Sequence, residues 1–201
     1  MTNKVVDWAV RSRTLEGQTE CGDRAVVLDV WGGVLIAVVD GLGHGKEAAK
    51  AATLAIKTIE DNATRSFSSL LQECHLKLRT TRGCVMSLAF LDERRTMTWM
   101  GIGNVEGRLL RRGVQALDKA ESLLLRTGVV GGETDQLQAF YPRGVSLIRG
   151  DVLVLATDGI KGSFERHVDV MQPPRVIAED LIANYSKLND DALVFVGRYI
   201  G

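Results

Sequence analysis

Two stretches of this chain end an apolar run in the same way. Ala37-Val-Val-Asp40-Gly41 and Leu155-Ala-Thr-Asp158-Gly159 each carry a hydrophobic strand into an aspartate and then a glycine. A third stretch reverses the order: Asn189-Asp190-Asp191 stands just before the apolar run from Ala192 to Val196. If the three strands are neighbours, the carboxylates converge at one end of a sheet. Like charges that close raise each other's pKa. A divalent cation removes the conflict, and ligands that are all oxygen suit hard ions such as Mg²⁺ and Mn²⁺. Glycine after aspartate frees the backbone for close approach, so the Gly41 carbonyl is a further candidate ligand. Asp23, in Cys21-Gly22-Asp23, opens the first strand and is a fourth acidic candidate. A single Asp-Gly pair reads as a turn; it is the combination that points to a metal site.

Composition narrows the class. The chain has 201 residues, with 25 Lys plus Arg against 25 Asp plus Glu and 45% apolar residues. That predicts one domain, or at most two small ones, with a real core. Zero net charge argues against an electrostatic nucleic-acid binder. The 21 glycines against 3 prolines suggest many backbone positions with positive φ or close contacts. Cys21, Cys74 and Cys84 are odd in number and lack C-x-x-C spacing, which fits a reducing, cytoplasmic setting better than disulfides or a zinc knuckle. Met1 to Thr14 holds no apolar leader segment, so no signal peptide is expected. The longest apolar run, Val34 to Val39, is far short of the ~20 residues a membrane span needs.

The pattern along the chain predicts strands over Ala25–Val30 and Val34–Val39 with a hairpin at Trp31-Gly32-Gly33. A helix is predicted from about Lys46 to Glu60, with Ala48, Ala52, Ala55, Ile56 and Ile59 on one stripe. A second helix follows, capped by Ser66 and burying Phe67, Leu70, Leu71, Cys74 and Leu78. Strands return at Cys84–Leu91, Thr96–Ile102 and Gly107–Leu110. Residues 114–137 are loop-rich, and further strands are expected at Gln138–Tyr141, Val152–Thr157 and Ala192–Val196. Pro173 and Pro174 precede a helix carrying Val176, Ile177, Leu181, Ile182 and Tyr185. Hairpin strands with helix pairs at separate places indicate an α+β fold.

Competing chemistries fit less well. Gly41-Leu-Gly43-His-Gly45 lies where a dinucleotide fingerprint would, but its spacing is wrong and Asp40 would face the pyrophosphate. Gly45-Lys46 lacks the spacing of a P-loop. No cysteine has an arginine at the distance a cysteine phosphatase needs, and no G-x-S-x-G elbow is present. Metal-activated water is then the natural nucleophile. His44, beside the acidic strand end, is a possible proton donor to a leaving alkoxide. His75 reads as structural or exposed and His167 as solvated. Arg149-Gly150-Asp151 reads as a turn into a strand, and Arg108 to Arg112 as a solvated strand edge or a grip for a phosphorylated partner.

Asp40-Gly-Leu-Gly-His-Gly45, Arg149-Gly150-Asp151 to Asp158-Gly159, and Asp190-Asp191-Ala-Leu-Val-Phe-Val196 resemble the PPM family of metal-dependent Ser/Thr protein phosphatases, and within it the SpoIIE-type bacterial branch. Gly101-Ile-Gly103-Asn104 to Arg108 resembles the family's central Gly-Asp/Asn strand pair, and the blocks together span nearly the whole chain. The resemblance implies a four-layer αββα sandwich: two antiparallel sheets, each with a helix pair on its outer face. It implies one catalytic domain over residues 1–201 and a phosphoserine/phosphothreonine phosphatase using two Mn²⁺ or Mg²⁺ ions. Asp40 would bridge the ions and Gly41 offer its carbonyl. Asp158 and Asp190 would complete one ion, and Asp23 would lie near the other. Asp40 and Asp158 are the expected catalytic pair. Asp191 stands where many relatives have Asn and is not assigned as a ligand. Asn104 replaces an Asp that helps hold a third metal, so a third ion is not expected. No arginine matches the family's phosphate-binding position; Arg11, Arg13 and Arg24 are near in sequence only. The expected partners are phosphorylated stressosome-type proteins with a STAS domain, with a monomer favoured. The alternative is a catalytically weak, phosphatase-like domain that binds phosphorylated partners.

Overall fold

The structure is a computed structural model that describes residues 4–112, 120–122, 125–132 and 142–201. Eleven strands are described: β1 Val6–Arg13, β2 Asp23–Val30, β3 Gly33–Gly41, β4 Cys84–Asp92, β5 Thr96–Ile102, β6 Glu106–Leu110, β7 Ala120–Ser122, β8 Leu125–Arg126, β9 Arg143–Ser146, β10 Val152–Ala156 and β11 Ala192–Tyr199. Three α-helices join them: α1 Gly45–Asp61, α2 Phe67–Leu78 and α3 Pro174–Tyr185. One sheet runs β1-β11-β10-β6-β7 and the other β2-β3-β4-β5-β8, with β9 also on β5.

The four expected layers follow from three apolar clusters. The central one lies between the sheets. Val34, Ile36 and Val38 of β3 and Met97 and Trp99 of β5 meet Leu153 and Leu155 of β10 and Leu193 and Phe195 of β11. The alternate residues of β3, Leu35, Ala37 and Val39, point the other way and pack with Ala51, Ala52, Ala55 and Ile59 of α1 and Leu70 and Leu71 of α2. Strand β3 is therefore buried on both faces, the physical reason its sequence is an unbroken apolar run. The third cluster packs Val152, Val154, Val194 and Val196 beneath Ile177, Ala178 and Leu181 of α3. This outer face carries α3 and a 3-10 turn at Phe164–His167; among the described residues it has no second α-helix, unlike the pair expected there.

Local signals operate as read. Ser66 Oγ accepts from the Ser69 amide at the start of α2, and Trp31 sits almost fully exposed at the β2–β3 hairpin tip. The first strand, β1, was not predicted; it pairs with β11 from Val6 against Tyr199 to Arg13 against Ala192. Its Val6, Trp8 and Val10 face the central core while Ala9 faces the third cluster. Strand β6 does not extend the β4–β5 meander. The chain crosses at Gly103, where φ is +92° and an added Cβ would meet Val85 at 2.1 Å, and β6 then pairs with β10 in the other sheet. Strand β8 returns to the edge of β5 and pairs with it in parallel, so that sheet is antiparallel except at this two-residue contact. The strand expected at Gln138–Tyr141 lies outside the described residues. Among the described residues, no helix is long and apolar enough to cross a membrane.

Phe195 is fully buried between the sheets. Phe195→Ala should cost about 3–5 kcal/mol of unfolding free energy, read as a lower urea midpoint at unchanged slope.

Candidate metal centre

The acidic residues meet where the two sheets come together. In the β2–β3 ladder, Asp23 lies directly opposite Asp40. In the other sheet, Asp158 follows β10 and Asp190 and Asp191 precede β11, and those strands are antiparallel neighbours. One hydrogen bond ties the two halves: Thr157 Oγ1 donates to Asp23 Oδ2 at 2.8 Å while accepting from the Leu193 amide. Thr157 has no role in the expectations drawn from the sequence. It stands one place before Asp158, and its hydroxyl fixes a carboxylate that comes from the opposite sheet.

Glycines permit the approach. A Cβ on Gly41 would lie 2.1 Å from the Ala48 carbonyl oxygen, and one on Gly159 would lie 1.8 Å from that of Asp191. The Gly of each Asp-Gly pair is thus required by backbone contact: against α1 in one case, against the approach to β11 in the other.

Each carboxylate has a different setting. Asp191 is buried: its oxygens accept from the amides of Leu15 and Gly22, both at 2.7 Å. It pins the β1–β2 loop to the start of β11, with a backbone amide on each oxygen. Asp190 Oδ1 accepts from the Asp191 amide. Asp158 Oδ2 accepts from Asn104 Nδ2 at 2.7 Å. Among the described residues these bonds leave one oxygen each on Asp23, Asp158 and Asp190, and both on Asp40, without a hydrogen-bond donor.

That arrangement is electrostatically costly as it stands. Burial first, then the charges of Asp23, Asp158, Asp190 and Asp191, push the Asp40 carboxyl up to about 8. Burial does the same to Asp23, up to about 7; the Thr157 hydrogen bond opposes it, and Asp191, Asp158 and Asp190 add to it. Asp158 is also raised, by burial and by Asp190, against a lowering contribution from Lys187. The donor set is all oxygen and in excess of the nearby positive charge, which fits a hard divalent cation. Among the described residues, no three acidic, histidine or cysteine side chains form a ready-made metal cage. The carboxylates are close enough to repel but not gathered around one point.

The remaining candidates fall outside this cluster. His44 is the N-cap of α1, exposed, with no capping hydrogen bond from its side chain. Buried His75 accepts from the Gly131 amide at Nδ1, and exposed His167 stacks on Tyr185 at 4.8 Å. The basic stretch is internally committed: Arg108 pairs with Glu106 and Glu165, and Arg111 with Glu121 and buried Asp151. Asp151 also accepts from the Ile148 amide, closing the predicted Arg149–Asp151 turn. Cys21, Cys74 and Cys84 are free and buried; burial pushes the Cys21 and Cys74 thiols up to about 12, which removes them as nucleophiles.

Comparison with known proteins places this geometry. Residues 31–198 match the family described as Stage II sporulation protein E (SpoIIE). The phosphoserine phosphatase RsbX of Bacillus subtilis (strain 168) is 23% identical over 200 residues, which cover 98% of this chain and 96% of that protein. The fold is similar to that of RsbX in complex with magnesium, with a TM-score of 0.85, 21% identity, and 99% and 98% of the two chains covered. It is also similar to a chain solved in work on the bacterial stressosome as a modular system adapted to control secondary messenger signaling. There the TM-score is 0.84 at 28% identity, covering 96% of this chain and 99% of that one. The chain belongs to the SpoIIE-type branch of the PPM phosphatase family.

Proposed function

We propose that this chain is a divalent-metal-dependent phosphoserine/phosphothreonine protein phosphatase of the RsbX type. The observation that carries the reading is Asp40: a largely buried carboxylate facing four others, with no hydrogen-bond donor among the described residues. Such a group is stabilised either by a proton or by a cation. Asp40, Asp158, Asp190, Asp23 and the Gly41 carbonyl are the proposed holders of two Mg²⁺ or Mn²⁺ ions, with Asp40 shared. When bound, the ions supply Lewis-acid stabilisation of phosphoryl charge and a water acidic enough to attack at neutral pH.

The chain's own residues do the rest. Thr157 holds Asp23 so that its other oxygen is aimed. Asn104 does the same for Asp158. An aspartate at 104 could not donate that bond unless protonated, so the amide has a positioning task here, and the binder-only alternative loses one of its motives. Asp191 is not assigned as a ligand, since both its oxygens already accept backbone bonds. His44, exposed at the mouth of the loop, remains the proposed proton donor to the departing serine oxygen. Strands β1 to β11 with their helices form one catalytic domain in this reading. Its substrates are phosphorylated STAS-domain scaffold proteins of a stressosome in the cytoplasm, where the enzyme acts as a monomer to reset stress signalling. The likeness to RsbX and to the stressosome-associated chain supports the substrate class. The free cysteines fit the compartment.

Metal-dependent release of phosphate from a phosphoserine protein tests the reading. Asp40→Asn should lower kcat by at least about a hundredfold while leaving the fold intact by circular dichroism. Equal turnover by both proteins rules out the role given to Asp40, and no turnover despite intact metal binding favours the binder.

Protons and cations compete for the same oxygens. In chelator-treated protein, Asp40 and Asp23 hold protons in the folded state up to about 8 and 7, but in the unfolded chain only to ~4. The folded state binds more protons in that window, so stability falls as pH rises from about 4 to 8. The melting temperature of the metal-free protein should drop by roughly 5 °C or more between pH 5 and 8.5, and Mg²⁺ should restore it most at the alkaline end. A metal-free melting temperature that rises over this range contradicts the cluster.

A further inference from the structure

A site built from repelling carboxylates also repels a phosphate dianion unless positive charge, from bound cations or from a nearby side chain, offsets them. The sequence offers no obvious cation, and the structure removes the three that lie near in sequence. Arg11 is bonded to Glu179 and to the Val10 carbonyl. Arg13 spans the carbonyls of Lys187 and Asp190. Arg24 curls onto the carbonyls of Cys21 and Asp23. Arg108 and Arg111 are held in ion pairs on the far side of β10.

Arg82 is different. It lies between α2 and β4, and the antiparallel ladder explains where it sits. Asp40 pairs with Val85 and Gly41 with Cys84, and the Leu42 amide then donates to the Gly83 carbonyl. Continued by one residue, that register sets Arg82 against Gly43. The guanidinium does lie there: a Cβ on Gly43 would be 2.6 Å from an Arg82 terminal nitrogen. Gly43 has φ +90° and no side chain, so the loop between Asp40 and α1 leaves room for the arginine to lie across it. Arg82 is exposed, and among the described residues its side chain has no ion pair or hydrogen bond.

We infer that Arg82 holds the substrate's phosphate, its guanidinium lying on the Gly43 bend of the loop that follows β3. This rests on the phosphatase reading of the same site. A guanidinium stays charged at every working pH and presents paired N–H donors that match two phosphate oxygens. The β3–β4 ladder that pairs Asp40 with Val85 sets where the Arg82 backbone stands relative to that strand end. The guanidinium's role is to hold and orient the phosphoryl group; it exchanges no proton.

The test compares wild type, Arg82→Gln and Arg82→Lys. Inorganic phosphate is titrated into the Mg²⁺-loaded proteins by calorimetry, and KM and kcat are measured on a phosphoserine peptide. Arg82→Gln should weaken phosphate binding and raise KM by about tenfold, the value of one charge-assisted pair, with kcat changed less. Arg82→Lys should recover part of the loss, which a merely structural arginine would not show. Because the side chain is exposed, both variants should melt with the wild type. Phosphate affinity and KM within twofold of wild type in Arg82→Gln overturn the inference. Failure of the phosphatase reading looks different: no metal-dependent turnover by the wild type itself. The phosphate titration still decides Arg82 in that case, and equal affinity, or none in either protein, counts against it.

Discussion

Mutual repulsion among aspartates at the seam of two sheets is the constraint that organises this molecule. Asp40 and Asp23 come from one sheet, Asp158, Asp190 and Asp191 from the ends of two strands in the other. Burial first, and then their mutual repulsion, raises the protonation range of three of them. A fold that sought stability alone would not gather them. Its core must offset the repulsion, and it does so with three apolar clusters that bury both faces of the central strands.

The same region shows how the seam is kept in register. Asp191 and Thr157 do for the scaffold what the other acidic groups do not. Asp191 spends both oxygens on backbone amides of the β1–β2 loop. Thr157 links a hydroxyl on one sheet to a carboxylate on the other. Charge-assisted bonds of this kind are short and directional. They fix Asp23 and the loop before it with respect to β11, and so fix the distance between the sheets at the place where chemistry is proposed. Neighbouring residues of one chemical type thus have opposite roles. Asp190 keeps an oxygen available, while Asp191 is part of the frame.

Much of this was legible in the residues. Apolar runs predicted β2, β3, β4 and β5, and helical periodicity predicted α1, α2 and α3, close to their bounds, with Ser66 and Pro174 marking the starts of α2 and α3. The strand-end aspartates were visible because Asp-Gly after an unbroken apolar run is a local pattern with a physical cause. Strand β1 was missed although Val6, Trp8 and Val10 alternate; the alternation gains its meaning only from pairing with β11, at the other end of the chain. The pairing of β6 with β10 and the parallel contact of β8 with β5 were equally hidden, since no local signal states which sheet a short strand joins.

The sequence by itself determined where the apolar strands run, where helices start, and which residue types could serve a hard cation. Only the tertiary structure decided which aspartates accept backbone bonds, that Thr157 and Asn104 donate to Asp23 and Asp158, and that Arg82, unlike Arg11, Arg13 and Arg24, lies on the Gly43 bend with no ion pair or hydrogen bond among the described residues. Periodicity and caps act between residues a few positions apart, whereas a carboxylate's role depends on which donors and charges arrive from distant strands, and those are known only once the sheets have closed on each other.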